Sequence, residues 1–138
     1  MAKAALSDVA DIGQQRLNRV SKIMTIKRHE PSDILSKAVE ANGFVFLAGI
    51  VSDDPAGGIK AQTKSVVDQI DKLLAKCGTD KSKIVQAQIW VPDIKLRAEM
   101  NEVWKAWNGG KDLPARACVE AKLADPRLLV EIMVTAAK

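Results

Sequence analysis

Arginine, cysteine and glutamate occupy every second position in the stretch Pro114-Ala-Arg-Ala-Cys-Val-Glu, and a further glutamate follows in Val130-Glu-Ile. In an extended chain Arg116, Cys118 and Glu120 share one face, and Ala117, Val119 and Ala121 the other. On a rigid strand Arg116 would present a planar fork suited to two-pronged contact with a carboxylate. Its competing use is a salt bridge to Glu120 or Glu131, and spacing alone favours that bridge. The guanidinium beside Cys118 would favour a thiolate. A catalytic thiol also needs a base, and the sole histidine, His29, lies far away in sequence. For His29 a surface or loop position is expected, and for Cys77 a packing role at a helix end. If the apolar residues Val130, Ile132 and Val134 face the same core as Val119, Glu131 shares a face with Arg116.

The elements that position these residues can be read from the pattern. Residues 114–132 read as two strands joined by a turn at Ala124-Asp125-Pro126, where proline removes a ladder donor. Residues 1–22 form an N-terminal extension, helical or partly disordered. Ser7-Asp8 would cap a short helix carrying Val9, Ile12, Leu17 and Val20 on one side, with Gly13 weakening it. Residues 23–138 form the domain. Strands are expected at 24–28, 36–40 and 44–51, with a turn at 30–33 and a two-residue hairpin turn at Asn42-Gly43. Residues 44–51 are almost all apolar, the pattern of a strand covered on both faces. Val66, Val67, Ile70, Leu73 and Leu74 recur at helical spacing within 58–77, and Gly78 stops that helix. A strand at 84–91 and a helix at 95–107 follow, with Trp104 and Trp107 read as packing. The order β-β-β-α-β-α-β-β predicts an α+β fold, a single mixed sheet with two helices on one face.

The chain has 138 residues, enough for one domain, with 47% hydrophobic and 28% charged residues and a net charge of +4. Lysine and arginine are interleaved with aspartate and glutamate along its whole length, which argues against nucleic acid as a partner. No apolar run approaches the ~20 residues that span a bilayer, and no export signal is visible, so a cytoplasmic location without membrane contact is expected. Two cysteines suggest neither a disulfide framework nor a zinc site; no metal or organic cofactor is expected.

Pro-Ala-Arg-x-Cys-Val-Glu followed by Val-Glu-Ile, with Arg116 and Glu131 fifteen positions apart, is similar to the signature of the reactive-intermediate deaminase (RidA/YjgF) family. Residues 42–49 resemble that family's early strand, 58–77 its first helix and Asn101-Glu-Val-Trp-Lys its second, so the resemblance covers about residues 26–136. It implies a homotrimer whose sheets surround a central barrel, with ligand clefts between subunits. It also implies that Arg116 holds the carboxylate of a 2-imino acid, that Glu131 orients the attacking water, and that Cys118 and Asn101 line the cleft. The implied reaction hydrolyses a 2-enamino or 2-imino acid to a 2-keto acid and ammonia. Two hydroxyls of the family's archetype are missing. Ala48 stands where it has serine and Leu35 where it has tyrosine, and Ser36 would alternate to the opposite face. The departures imply a larger, more apolar or altered substrate, or weak turnover. Two further readings stay open. One is a trimeric protein that binds a small carboxylate without turnover. The other is a ribonuclease or translation inhibitor, against which one histidine, no tyrosine and dispersed charge argue.

Overall fold

The computed structural model describes residues 2–138. In chain order it contains α1 (Ala2–Met24), β1 (Lys27–Pro31), β2 (Ser36–Ala41), β3 (Phe44–Leu47), β4 (Ile50–Val51), α2 (Ile59–Lys76), β5 (Ile84–Val91), α3 (Arg97–Asn108), β6 (Ala115–Glu120) and β7 (Glu131–Ala137), with 3-10 turns at Lys81–Lys83 and Ile94–Leu96. The strands form one seven-stranded sheet in the order β1-β2-β3-β7-β5-β6, with β4 also paired to β7. Only β5 and β6 run parallel. The α3 crossover between them permits this, because parallel neighbours need a long connection. The fold is α+β, as the element order predicted, with α2 and α3 packed on the sheet and α1, the N-terminal extension, as a third helix.

The core lies between the sheet and one layer of helix. Val66, Val67, Ile70 and Leu74 of α2 and Met100 and Trp104 of α3 pack on Val45, Ala87, Ile89, Ile132 and Val134. One fully buried polar side chain ties loops into this core. The Gln62 amide nitrogen contacts the carbonyls of Pro55, Gly57 and Arg127 at 3.2, 2.8 and 2.9 Å, and its oxygen accepts from the Leu129 N–H at 2.8 Å. The loops before α2 and before β7 are thereby fastened to one residue.

Several expectations shift. Residues 24–28 do not form the first strand: the helix runs through Met24 and β1 starts at Lys27. The helix also continues through Ser7, Asp8 and Gly13, and every described side chain on it is exposed. The apolar run at 44–51 breaks into β3 and β4 around Ala48-Gly49. Phe44 and Phe46 remain 39% and 44% exposed, because among the described residues helices cover one face of the sheet and not the other. The Asn42-Gly43 turn forms as expected, with φ of 51° and 80°, the left-handed pair that suits a tight hairpin.

His29 is neither on the surface nor in a loop. It is buried in β1, its Nε2 2.5 Å from Glu40 Oε2, and Lys138 is ion-paired to the other Glu40 oxygen. The His29, Glu40 and Cys77 ligand atoms lie within 4.8 Å of one another. Both Glu40 oxygens are taken by these cationic and imidazole partners, and burial pushes the Cys77 thiol up. The hydrogen bonds from Lys138 and then His29 hold the Glu40 carboxyl below its usual range. A group lowered in this way contributes fully at neutral pH, and its contribution fades as pH falls through the lowered value. Glu40→Gln should therefore cost about 1–3 kcal/mol at pH 7, and less in strong acid, well below the ordinary carboxylate range. Urea melts of both proteins at the two pH values check this; an equal gap at both would contradict it.

Candidate functional site

Arg116 stands on the edge strand β6. Its partner across the parallel ladder is Ala87, whose own partner in β7 is Val134. Residues paired across a ladder point to the same side, so Arg116 faces the helix layer and not the open face. There its guanidinium Nη1 donates to Asn101 Oδ1 at 2.7 Å and its carbon lies 5.5 Å from the centre of the Trp104 ring. Asn101 and Trp104 are three apart on α3, so one helix face supplies both supports. Among the described residues Arg116 forms no ion pair with a carboxylate; Glu120 instead accepts from the Ile94 N–H at 3.3 Å. The salt bridge that spacing alone favoured is not made. A guanidinium fixed by one amide and one aromatic face keeps its remaining N–H groups for an anion.

Cys118 lies on the same face, opposite Ile89, and is half-buried. Burial outweighs the neighbouring Arg116 and Arg97 charges and pushes its thiol up. The expected thiolate is not favoured, because loss of solvent outweighs the guanidinium's attraction. An open cavity of about 430 Å³ adjoins Arg116, with Asn101, Trp104, Asn108, Leu113 and Pro114 among its walls. Trp104 is the residue the sequence reading missed: read as packing, it packs and also carries the guanidinium. Its position three residues after Asn101 was the available signal.

Glu131 belongs to a second group. It pairs with Trp90 and Val51, and Trp90 pairs with Val119. Glu131 therefore shares a face with Val119, opposite to that of Arg116. The inference that both glutamate and arginine occupy one face fails because the small residues of edge strand β6 look to the open side, not to the core. The Glu131 carboxyl rests against Gly49: a side-chain carbon added there would come within 3.0 Å of it. No hydrogen bond or ion pair to the Glu131 carboxyl is present among the described residues. Leu35, Ala48 and Gly49 border a cavity of about 370 Å³, with Lys37 and Ser52 on its rim.

The six candidate residues thus fall into two sets. Arg116, Asn101 and Cys118 gather at β6 and α3, while Glu131, Ala48 and Leu35 gather around β4 and the start of β7. With β5 lying between their strands and three residues of offset, Arg116 and Glu131 are separated by roughly 14 Å at Cα from ideal strand spacings. One chain does not unite them.

No helix among the described residues is long and apolar enough to cross a membrane. The family model described as Endoribonuclease L-PSP matches residues 25–138. A RutC family protein of Haemophilus influenzae is 45% identical over 114 residues, covering 82% of this chain and 98% of that protein. A RutC family protein of Escherichia coli, YoaB, is 35% identical, covering 83% and 99%. The crystal structure of a YjgF family protein from Neisseria meningitidis superposes with a TM-score of 0.81 at 45% identity, covering 84% of this chain and 97% of that one. The chain accordingly belongs to the Endoribonuclease L-PSP family, the RidA/YjgF family that its Arg116-to-Glu131 run resembles.

Proposed function

We propose that the protein is a hydrolytic deaminase of 2-enamino or 2-imino acids, acting as a homotrimer in which the Arg116 set of one copy faces the Glu131 set of the next. The observation that carries this reading is the Arg116 guanidinium, anchored by Asn101 and Trp104 and, among the described residues, paired with no carboxylate. Two different half-sites on one chain meet in a head-to-tail contact, and a closed ring is the finite assembly such contacts make; the trimer that the family resemblance implies is such a ring. The exposed Phe46, Val119 and Met133 on the open sheet face supply apolar surface for it.

In that cleft Arg116 holds the substrate carboxylate, and Glu131 accepts a hydrogen bond from water and directs it at the imine carbon. Water adds to C2 and gives one proton to the nitrogen; the new hydroxyl then gives up the second as the C–N bond breaks, so ammonia leaves and the 2-keto acid remains. The imine carbon is already electrophilic, so positioning supplies much of the acceleration, and proton transfer adds to it. Leu35 and Ala48 make the glutamate side of the cleft poorer in donors, which suits substrates with bulkier, apolar side chains. That same loss favours a second reading, a trimer that binds a carboxylate without turning it over. Ribonuclease chemistry is disfavoured, since the sole histidine is buried against Glu40.

A panel of imino acids generated in place by an amino-acid oxidase, with loss of the semicarbazide-trapped product as readout, tests the proposal. Accelerated loss with apolar imino acids is expected, and Ala48→Ser should raise turnover of 2-iminopropanoate. No acceleration with any member of the panel, by a protein that light scattering shows to be trimeric, would leave the binding reading in its place. A stable monomer at micromolar concentration would remove the shared cleft.

A further inference from the structure

Helix α1 lies outside the segment that the family shares, residues 25–138. It exposes Leu6, Val9, Ile12, Leu17 and Val20 at 70, 67, 60, 66 and 53%. Four of these are placed symmetrically about Gly13: Val9 and Leu17 four residues to either side, Leu6 and Val20 seven. At about 100° per residue, offsets of four and seven return to within roughly 40° of the starting direction. The four side chains and Gly13 therefore form one narrow stripe that reads the same from either end. We propose that α1 pairs antiparallel with α1 of a second copy of this chain, about a two-fold axis passing at Gly13.

A two-fold contact needs a patch complementary to itself. In the proposed pair Leu6 lies opposite Val20, Val9 opposite Leu17, and Gly13 meets Gly13. A glycine inside a helix costs about 1 kcal/mol relative to alanine. At the crossing point it lets two backbones approach closely, and beyond its chain neighbours and the backbone of its own helix nothing described lies within 4 Å of the position its side chain would take. Charge selects the antiparallel sense. Among the described side chains the first half of the helix carries Asp8 and Asp11, and the second half Arg16 and Arg19. Parallel pairing would set the two arginines beside two arginines; antiparallel pairing sets them beside the acidic half. The opposite side of the helix is already satisfied in water, with Gln14 bonded to Asn18 and Gln15 to Asp11. Those two aspartates and the absence of any aromatic residue from the helix fit a protein partner better than a lipid surface. The pairing stands independently of the trimer proposed above; if both hold, α1 joins trimers in pairs.

The test uses the full chain. Gly13→Cys places a thiol on the axis, whereas Asn18→Cys points away from the stripe. Under mild oxidation Gly13→Cys should give a covalent dimer well above the wild-type background from Cys77 and Cys118, and Asn18→Cys should not. Leu17→Asp should halve the mass measured by light scattering. An unchanged mass for Leu17→Asp, or equal linking at both engineered positions, overturns the proposal. So does flotation of the wild type, but not of Leu17→Asp, with phosphatidylcholine–phosphatidylglycerol vesicles at unaltered protein mass, which would assign the stripe to a membrane surface.

Discussion

Arg116→Lys should lose imino-acid turnover almost as completely as Arg116→Ala. A lysine keeps the charge, but one ammonium cannot bond Asn101, lie flat on the Trp104 ring and still offer a two-pronged contact. A hydrogen bond to a charged group is worth ~1.5–3 kcal/mol, on the order of ten- to hundredfold in binding, and misplacing the imine carbon relative to water adds to the loss in rate. Stability should change little. Arg116 faces the helix layer, yet it stands exposed on an edge strand, so no core cavity opens. The contact with Trp104 is worth about 0.5–1 kcal/mol at such a site. kcat/KM for 2-iminopropanoate and thermal melts of both variants give the answer. Full turnover by folded Arg116→Ala would sink the role assigned to it. A large fall in melting temperature, rescued by lysine, would mark Arg116 as structural instead.

The largest loss of stability is expected at Gln62. Gln62→Leu keeps the volume but strands the Leu129 N–H and removes the donor shared by three carbonyls. Each buried group left without a partner costs about 1–3 kcal/mol, and relaxation toward water recovers part, so a net loss of roughly 2–4 kcal/mol is expected. For a domain of this size that corresponds to a fall of about 3–5 °C in Tm per kcal/mol. Gln62→Glu should do no better than leucine: an oxygen remains for Leu129, but the buried carboxyl would face three carbonyl oxygens in place of the donor they bonded. Turnover should fall as well, since the loop released runs directly into Glu131. A melt within about 2 °C of the wild type would show that solvent replaces the amide without cost.

Local pattern and chain geometry account for what could be read in advance. Helical spacing of Val66 to Leu74, the Gly78 stop and the Asn42-Gly43 turn are encoded within a few residues, and each forms where expected. The face assignment of Arg116 is not encoded in that way. Alternation says that Arg116 and Cys118 share a side and Ala117 and Val119 the other; it does not say which side the helices cover. On an edge strand with little burial the apolar set need not face the core, and here it faces outward. His29 was unreadable for a related reason. Its partner Glu40 is eleven residues away and Lys138 ninety-eight beyond that, so only the completed sheet brings the three together. The candidate site was legible as a set of residue types, but its division into two groups depends on strand order.

That strand order also governs the timing of folding. β7 sits between β3 and β5, yet of the seven strands it is the one synthesised last. Until it is made, β1 to β3 form a separate meander and β5 with β6 a parallel pair, and each presents an open edge of unpaired backbone groups toward the gap. The core residues Ile132, Val134 and Ala136 arrive together in that single strand. A nascent or truncated chain ending before residue 131 therefore holds two unfinished sheets and no continuous core, a form prone to pair with the edges of other molecules. Closure of the domain rests on contacts distant in sequence, the kind that folds slowly, and both edges find their partner only in the seventh strand.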